Sequence, residues 1–347
     1  MFEIATGRDV IIGNVQNGNI PLISHQHDNN GISKKIAQIS NRRLFNFKNT
    51  LPLADRGVFL ATTQNENFHI GTRVKALTFK DGEKSIKIRE FIVACINKLQ
   101  ILFLDYASNA TDNLPNFKIQ LPTKKGKIDF DFMESFIAEL EAEHLAELEA
   151  YLLATGLKDY ALTAEEQQVL NDFENVKWQT FNLEKLFGKS TRGRRLKSDD
   201  RIAGNLPFVT AGETDEGISA FIGNNVTVFS ENTTTIDMFG SAKYRNYQYG
   251  GDDHVAVVHT ENLPKFASIF VTTAIHKTSY AGLFSYSRNF YARDADELNV
   301  ALPIQQHQPN YEIMETLISA IQKLVIKDVV LYAESKIEST KKVVTSK

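Results

Sequence analysis

At 347 residues and 39.1 kDa the chain is about twice the size of a typical domain, so two globular units are expected. A hydrophobic share of 42% excludes a disordered tail, and the single cysteine, Cys95, excludes both an intrachain disulfide and a thiolate metal cluster built by this chain alone. The net charge of −3 argues against a uniformly basic coat for nucleic acid, although a sum can hide a basic domain behind an acidic helix.

The first residues, Met1-Phe-Glu-Ile-Ala-Thr-Gly-Arg8, carry no basic region followed by an apolar run. No later stretch reaches the roughly 20 apolar residues of a membrane span. No membrane association and a cytoplasmic location are therefore expected. Residues 18–33 (GNIPLISHQHDNNGIS) return as residues 204–219 (GNLPFVTAGETDEGIS) at an offset of 186, and Gly7-Arg8 returns as Gly193-Arg194. Further on the offset contracts, pairing Phe91 with Phe270, Leu121-Pro122 with Leu302-Pro303, and Met133-Glu134 with Met314-Glu315. An ordered series of this length indicates a duplicated domain.

Within each copy, short β-prone runs such as Leu206–Thr210, Asn225–Phe229 and His254–Val258 precede a helix near Glu90–Leu99 or Lys265–His276. The fold class predicted is α+β, a mixed α/β domain written twice. A Leu-Pro segment, Ile119–Pro122 or Val300–Pro303, then leads into a long helix. The first of these, Asp129–Leu157, has no proline and no internal glycine before Gly156. It places Met133, Phe136, Ile137, Leu140 and Leu148 at three- and four-residue spacing. Its counterpart places Met314, Leu317, Ile321 and Leu324 likewise. Each helix could cap its own domain, but two equivalent helices suggest antiparallel pairing in a pseudo-two-fold arrangement, or a bundle with another subunit. A short helix within Ala161–Lys177 is predicted to be capped by Thr163 with Glu166 at its third position. The boundaries expected are 1–125 and 178–307 for the two domains, 126–177 for the central helices and linker, and 308–347 for the last helix.

The acidic helix carries eight carboxylates and no Lys or Arg between Asp129 and Leu157, which leaves +5 on the other 318 residues. Basic residues gather elsewhere. Arg192, Arg194, Arg195, Lys197 and Arg201 surround a glycine in the second copy, and Lys243, Arg245, Tyr247 and Tyr249 interleave charge with aromatic rings. The first copy offers Arg8, Lys34, Lys35, Arg42, Arg43, Arg73 and Lys75. Such mixtures suit phosphate neutralisation and contact with base edges. Rival chemistries are weaker. Phe187-Gly-Lys-Ser-Thr191 has the tail of a phosphate loop, but Leu183 stands where the first glycine is required. His25-Gln-His27-Asp28 has no matching cluster in the other copy, and Asp252-Asp253-His254 reads as charge pairing or loop capping, so no metal site and no catalytic residue is assigned.

The segments RGRRLKSDDRIAGNLPFVTAGETDEGISAFIGNN, TIDMFGSAKYRNYQYGGDDHVAVV and SYSRNFYARDADELNVALPIQ resemble a target-recognition domain of restriction-modification specificity subunits, with the type I and type IIB families nearest. The resemblance is strong over residues 182–335 and weaker over 1–157. It implies tandem target-recognition domains separated by long helices, each domain reading one half of an interrupted sequence in double-stranded DNA. It also implies partners: adenine methyltransferase subunits holding S-adenosylmethionine, and a restriction subunit or fused polypeptide using Mg2+. This chain shows no Asn/Asp-Pro-Pro-Tyr/Phe methylation motif and no glycine-rich cofactor loop, so it is expected to be noncatalytic alone and to hold no cofactor. The alternative is a scaffold or interaction protein that has lost DNA reading. The second copy also has a lead, Val176–Phe187, without a counterpart in the first, so either a short amino-terminal piece is missing or a partner completes that edge.

Overall fold

The computed structural model describes residues 1–55, 58–103 and 113–345, with side chains through Glu338. It divides into two units, Met1–Leu148 and Glu149–Lys347. Residues 346–347 of the expected last helix lie outside the described residues.

In the first unit, strands Phe2–Thr6, Val74–Phe79, Thr50–Asp55 and Phe59–Ala61 lie side by side in that order, each pair antiparallel. A second sheet sets Ile32–Ile36 antiparallel to Asn17–Ile23, which pairs in parallel with His69–Ile70. Helix Ile86–Asn97, capped by the Ser85 side chain, buries Ile88, Ile92 and Ile96 in a core with Leu51, Leu53 and Leu77. The second unit repeats this order. Thr191–Arg192, Val255–Val258, Thr233–Asp237 and Ala242–Arg245 form one sheet, and Ile218–Ile222, Ala203–Val209, Tyr249–Gly251 and Val228–Phe229 form the other. Helix Lys265–Ser279 packs Val271 and Ile275 with Ile236 and Ala256. The α+β class and the duplication are thus present in the topology.

The register repeats as well. Pro21 faces Lys35 and Leu22 faces Lys34, as Pro207 faces Phe221 and Phe208 faces Ala220, and both ladders shift register at the same two places. Two matched glycine pairs explain part of the shared text. A Cβ on Gly18 would lie 2.5 Å from the Ala37 nitrogen, and one on Gly204 would lie 2.4 Å from the Gly223 nitrogen. Only glycine allows the bulged strand to approach its neighbour so closely. Gly31 and Gly217 end turns in which three consecutive residues are left-handed: Asn29, Asn30 and Gly31 at φ 47, 53 and 80°, and Asp215, Glu216 and Gly217 at 48, 55 and 82°.

Each domain ends in the same device, a tight hairpin feeding a long helix. Thr123–Lys124 pairs with Lys127–Ile128, and the Ile304–Gln305 end of strand Asn299–Gln305 pairs with Gln308–Pro309. The turn residues are left-handed in both, at Lys125–Gly126 and Gln306–His307. Asp129 and Asn310 then accept from the amides of Phe132 and Ile313 to start helices Phe130–Ala154 and Tyr311–Thr345. Thr163 and Glu166 form the predicted capping box on helix Ala164–Asp172. Glu166 also binds Ser319 at 2.6 Å and Lys323 at 3.0 Å, fixing that short helix to the C-terminal one.

The copies differ at one edge. Strand Trp178–Asn182 pairs antiparallel with Asn299–Pro303, so Val300 and Leu302 are fully buried and Leu183 seals the core beside them. Their counterparts Ile119 and Leu121 have no strand partner among the described residues and are only half-buried. They line an apolar cavity of about 730 Å³ with Phe2, Phe59, Ile96 and Phe117.

Candidate nucleic-acid interface

The segment just after strand Phe2–Thr6 in the first domain, and the one in and just after strand Thr191–Arg192 in the second, are basic and exposed. Arg8 projects to solvent in the first domain, and Arg192, Arg194, Arg195 and Lys197 do so in the second. Arg201 is held back, donating to the Leu196 carbonyl at 3.3 and 3.4 Å and lying over the Phe208 ring. In the first domain a second basic loop stands beside Arg8. Arg42 is half-buried and donates to the Asp9 carbonyl at 3.3 Å, while Arg43 is exposed over the Phe45 ring. Arg73, left-handed at φ 59°, contacts His25 at 3.5 Å. Lys34 reaches the Ile12 carbonyl, and Lys35 pairs with Glu66 at 2.7 Å.

Three residues expected at the DNA surface lie in the interior instead. Lys75 is 4% exposed and spends its charge on Asp55 at 3.4 Å and the Thr6 hydroxyl at 3.1 Å. Arg245 is 1% exposed and Tyr249 is wholly buried with its hydroxyl on Thr233 at 2.9 Å, burial pushing the phenol pKa up. Lys243–Tyr249 looks like one basic aromatic surface, but Arg245 ends strand Ala242–Arg245 and Tyr249 begins strand Tyr249–Gly251, and both side chains turn into the core. Lys243 is half-buried and paired with Glu213 at 3.2 Å, and Tyr247 accepts a hydrogen bond from Arg245.

Arg245 has a different task. Its guanidinium donates to the Thr235 hydroxyl, the Tyr247 hydroxyl and the Glu216 carbonyl, each at 2.9 Å. The Glu216 bond holds the left-handed turn from below. Gln64, equally buried and three residues past the end of strand Phe59–Ala61, donates to the Asn30 carbonyl at 3.0 Å under the matching turn. His69 is another residue the sequence did not single out. Its Nδ1 lies 2.9 Å from the Arg43 carbonyl and its Nε2 accepts from the Ile39 amide at 3.3 Å. The amide can only donate and the carbonyl only accept, so Nε2 is the acceptor and Nδ1 the donor. Nothing in the local sequence marks Gln64 or His69, because their partners are 34 and 26–30 residues away.

The residues assigned to partner contact divide by helical turn. Met133, Met314 and Leu317 are buried in their own domain cores, a correction that follows from their position at the first turns of each helix. Beyond them Phe136, Leu140, Ile321 and Leu324 are 39–46% exposed, and Ile137 and Leu148 are half-buried. Asp252, Asp253 and His254 bring ligand-type atoms within 4.8 Å of one another, with His254 paired to Asp253 at 3.0 Å. Their side chains contact neither basic loop in any described interaction.

Comparison with known proteins agrees with this architecture. Residues 1–150 and 175–331 each match the family described as the type I restriction modification DNA specificity domain. The chain is 25% identical to the specificity subunit S.BcgI of a type II restriction enzyme from Heyndrickxia coagulans, over 94% of this chain and 95% of that protein. The crystal structure of a type I restriction-modification S subunit from M. genitalium shares the fold at a TM-score of 0.62, with 15% identity over 99% of this chain and 91% of that one. Among the described residues no helix is long and apolar enough to cross a membrane. With one matching domain in each half of its length, the chain belongs to the family of restriction-modification DNA specificity subunits.

Proposed function

We propose that this chain reads a bipartite double-stranded DNA target and directs partner adenine methyltransferase and restriction components to it. The observation that carries the reading is a conserved frame with divergent contacts. Equivalent positions hold Arg8 and Arg194 on exposed opening loops, while the adjoining turns differ, His25–Asn30 in one domain and Ala211–Glu216 in the other. Two different half-sites need this combination, since guanidinium groups grip any backbone whereas turn chemistry discriminates bases. The exposed apolar residues Phe136, Leu140, Ile321 and Leu324 are offered to the methyltransferase subunits. S-adenosylmethionine and Mg2+ belong to those partners, and this chain supplies the address.

Exchange of either domain for that of another specificity subunit, followed by genome-wide mapping of methylated adenines in the reconstituted complex, tests this. One half of the modified motif should change with each exchange. An active complex whose motif is indifferent to both exchanges overturns it.

A further inference from the structure

The first domain holds a small pocket of about 290 Å³ beside its opening loop, lined by Thr6, Gly7, Arg8, Asn41, Arg42 and Arg43 over a floor of Phe45 and Ile70. Three arginines and no acidic residue line it. Four lysines elsewhere in this domain have acidic partners: Lys35 with Glu66, Lys75 with Asp55, Lys84 with Asp81 and Lys87 with Glu141. The pocket arginines have none among the described residues. Arg42 donates one bond, to a neutral carbonyl, and its Nε, shielded from solvent, has no acceptor. Concentrated, uncompensated positive charge of this kind favours an anion, and the planar fork of arginine matches the oxygens of a phosphate.

The pocket is also built in advance. His69, 1% exposed, ties both ends of the Ile39–Arg43 segment through its two ring nitrogens, and the Arg42 amide closes a turn onto the Ile39 carbonyl at 3.1 Å. Phe45 carries Arg43 on its ring face at 4.9 Å. Across the pocket Gly7 donates its amide to Val74 and lies so close to Gly71 that a Cβ would fall 1.9 Å from that carbonyl oxygen. Fixed loops lose less freedom when they bind. The second domain has Arg194 in the place of Arg8, but where Phe229 pairs with Tyr249, as Phe45 pairs with Phe68, the two residues standing for Arg42 and Arg43 are Val226 and Thr227. The pocket is therefore particular to the first domain.

We infer that Arg8, Arg42 and Arg43 form a preorganised pocket for one phosphate of the DNA backbone, with His69 as its positioning residue. This rests on the DNA-reading role proposed above and divides the labour within it: the pocket sets grip and register, and the neighbouring turn selects bases.

The test uses the full chain and two probes, a mixed-sequence duplex of 30 base pairs and inorganic phosphate. Binding of the duplex is measured over a salt series for the parent, for the Arg42→Gln, Arg43→Gln double variant, and for Lys48→Gln as a charge-loss control outside the pocket. Loss of one phosphate contact should lower the slope of log affinity against log salt by about 0.9, with Lys48→Gln near the parent. Phosphate alone should shift the Arg42 Nε–H NMR resonance, and the shift should vanish in Arg43→Gln. His69→Phe should reduce the slope as the double variant does while melting cooperatively, and His69→Gln, which can donate and accept, should recover part of it. A double variant with the parental slope overturns the pocket while leaving DNA reading intact. Failure of the parent to bind duplex, with the phosphate shift present, overturns the DNA source and leaves a pocket for free anions.

Discussion

The Arg245 guanidinium donates to the Glu216 carbonyl at 2.9 Å, and beneath the equivalent turn of the other domain Gln64 donates to the Asn30 carbonyl at 3.0 Å. Two different side chains thus do one job, holding up a turn whose residues sit in a backbone region that costs energy without support. Glutamine should therefore substitute for arginine here better than an apolar residue of similar length. Arg245→Gln is expected to keep most of the parental stability, whereas Arg245→Met, which leaves the Glu216 carbonyl and two hydroxyls without their donor, should lose about 1–3 kcal/mol more. Denaturant titration decides between them, and equal losses would show that the carbonyl contact is unimportant.

The glycines that end these turns are not equivalent. A Cβ on Gly217 would lie 2.7 Å from the Thr210 carbonyl oxygen, whereas one on Gly31 would lie 3.2 Å from the Ile23 side chain and 3.7 Å from the Ser24 carbonyl oxygen. Both substitutions carry the left-handed penalty of about 1–2 kcal/mol, so Gly217→Ala should cost clearly more than Gly31→Ala. Thermal denaturation of the two variants checks the order.

Glu166 makes an acid-sensitive clamp. Burial would raise its carboxyl pKa, but the Ser319 hydroxyl, the Thr163 amide and the Lys323 ammonium outweigh that and hold it below the ordinary 4.5. A depressed carboxylate contributes fully above its unfolded value and loses that contribution as pH falls through the lower folded one. Lys323 is raised despite its burial by Glu166 and Asp159, so its share persists below 10.5 and is lost as pH climbs past the raised value. Glu166→Gln should be less stable than the parent at pH 7, by about 1–3 kcal/mol, and the gap should close at acid pH. A gap independent of pH would mean that shape, not charge, holds the short helix.

The exposed helical residues should matter to assembly and little to folding. Ile321→Ser with Leu324→Ser, at positions 40% and 46% exposed, is expected to change stability by less than about 1 kcal/mol while weakening association with the methyltransferase subunits. Co-purification together with a melting curve separates the two effects.

Much of this architecture was legible in the chain because duplication writes it twice. Gly18 and Gly204 recur because of a close strand approach within one hairpin, and Asp129 and Asn310 because of helix capping within three residues. The interface was less legible. Arg245 and Tyr249 carry the composition of a DNA surface yet point inward, because the decision belongs to strand orientation. His69 and Gln64 act through partners that only the folded sheets bring near. Met133 and Leu317 read as a continuous stripe with Phe136 and Ile321, and only packing shows where the core ends along each helix.

The Ile119–Leu121 edge, unpaired among the described residues, makes the two halves unequal in thermodynamic weight. Leu302→Ala, in a sealed site, should cost about 2–5 kcal/mol, and Leu121→Ala, half-buried beside an open cavity, should cost less. Amides of the first domain should then exchange with deuterium sooner, and heating should melt it ahead of its twin. Two descendants of one ancestral fold would thus differ in rigidity at this edge, one sealed and the other still able to yield.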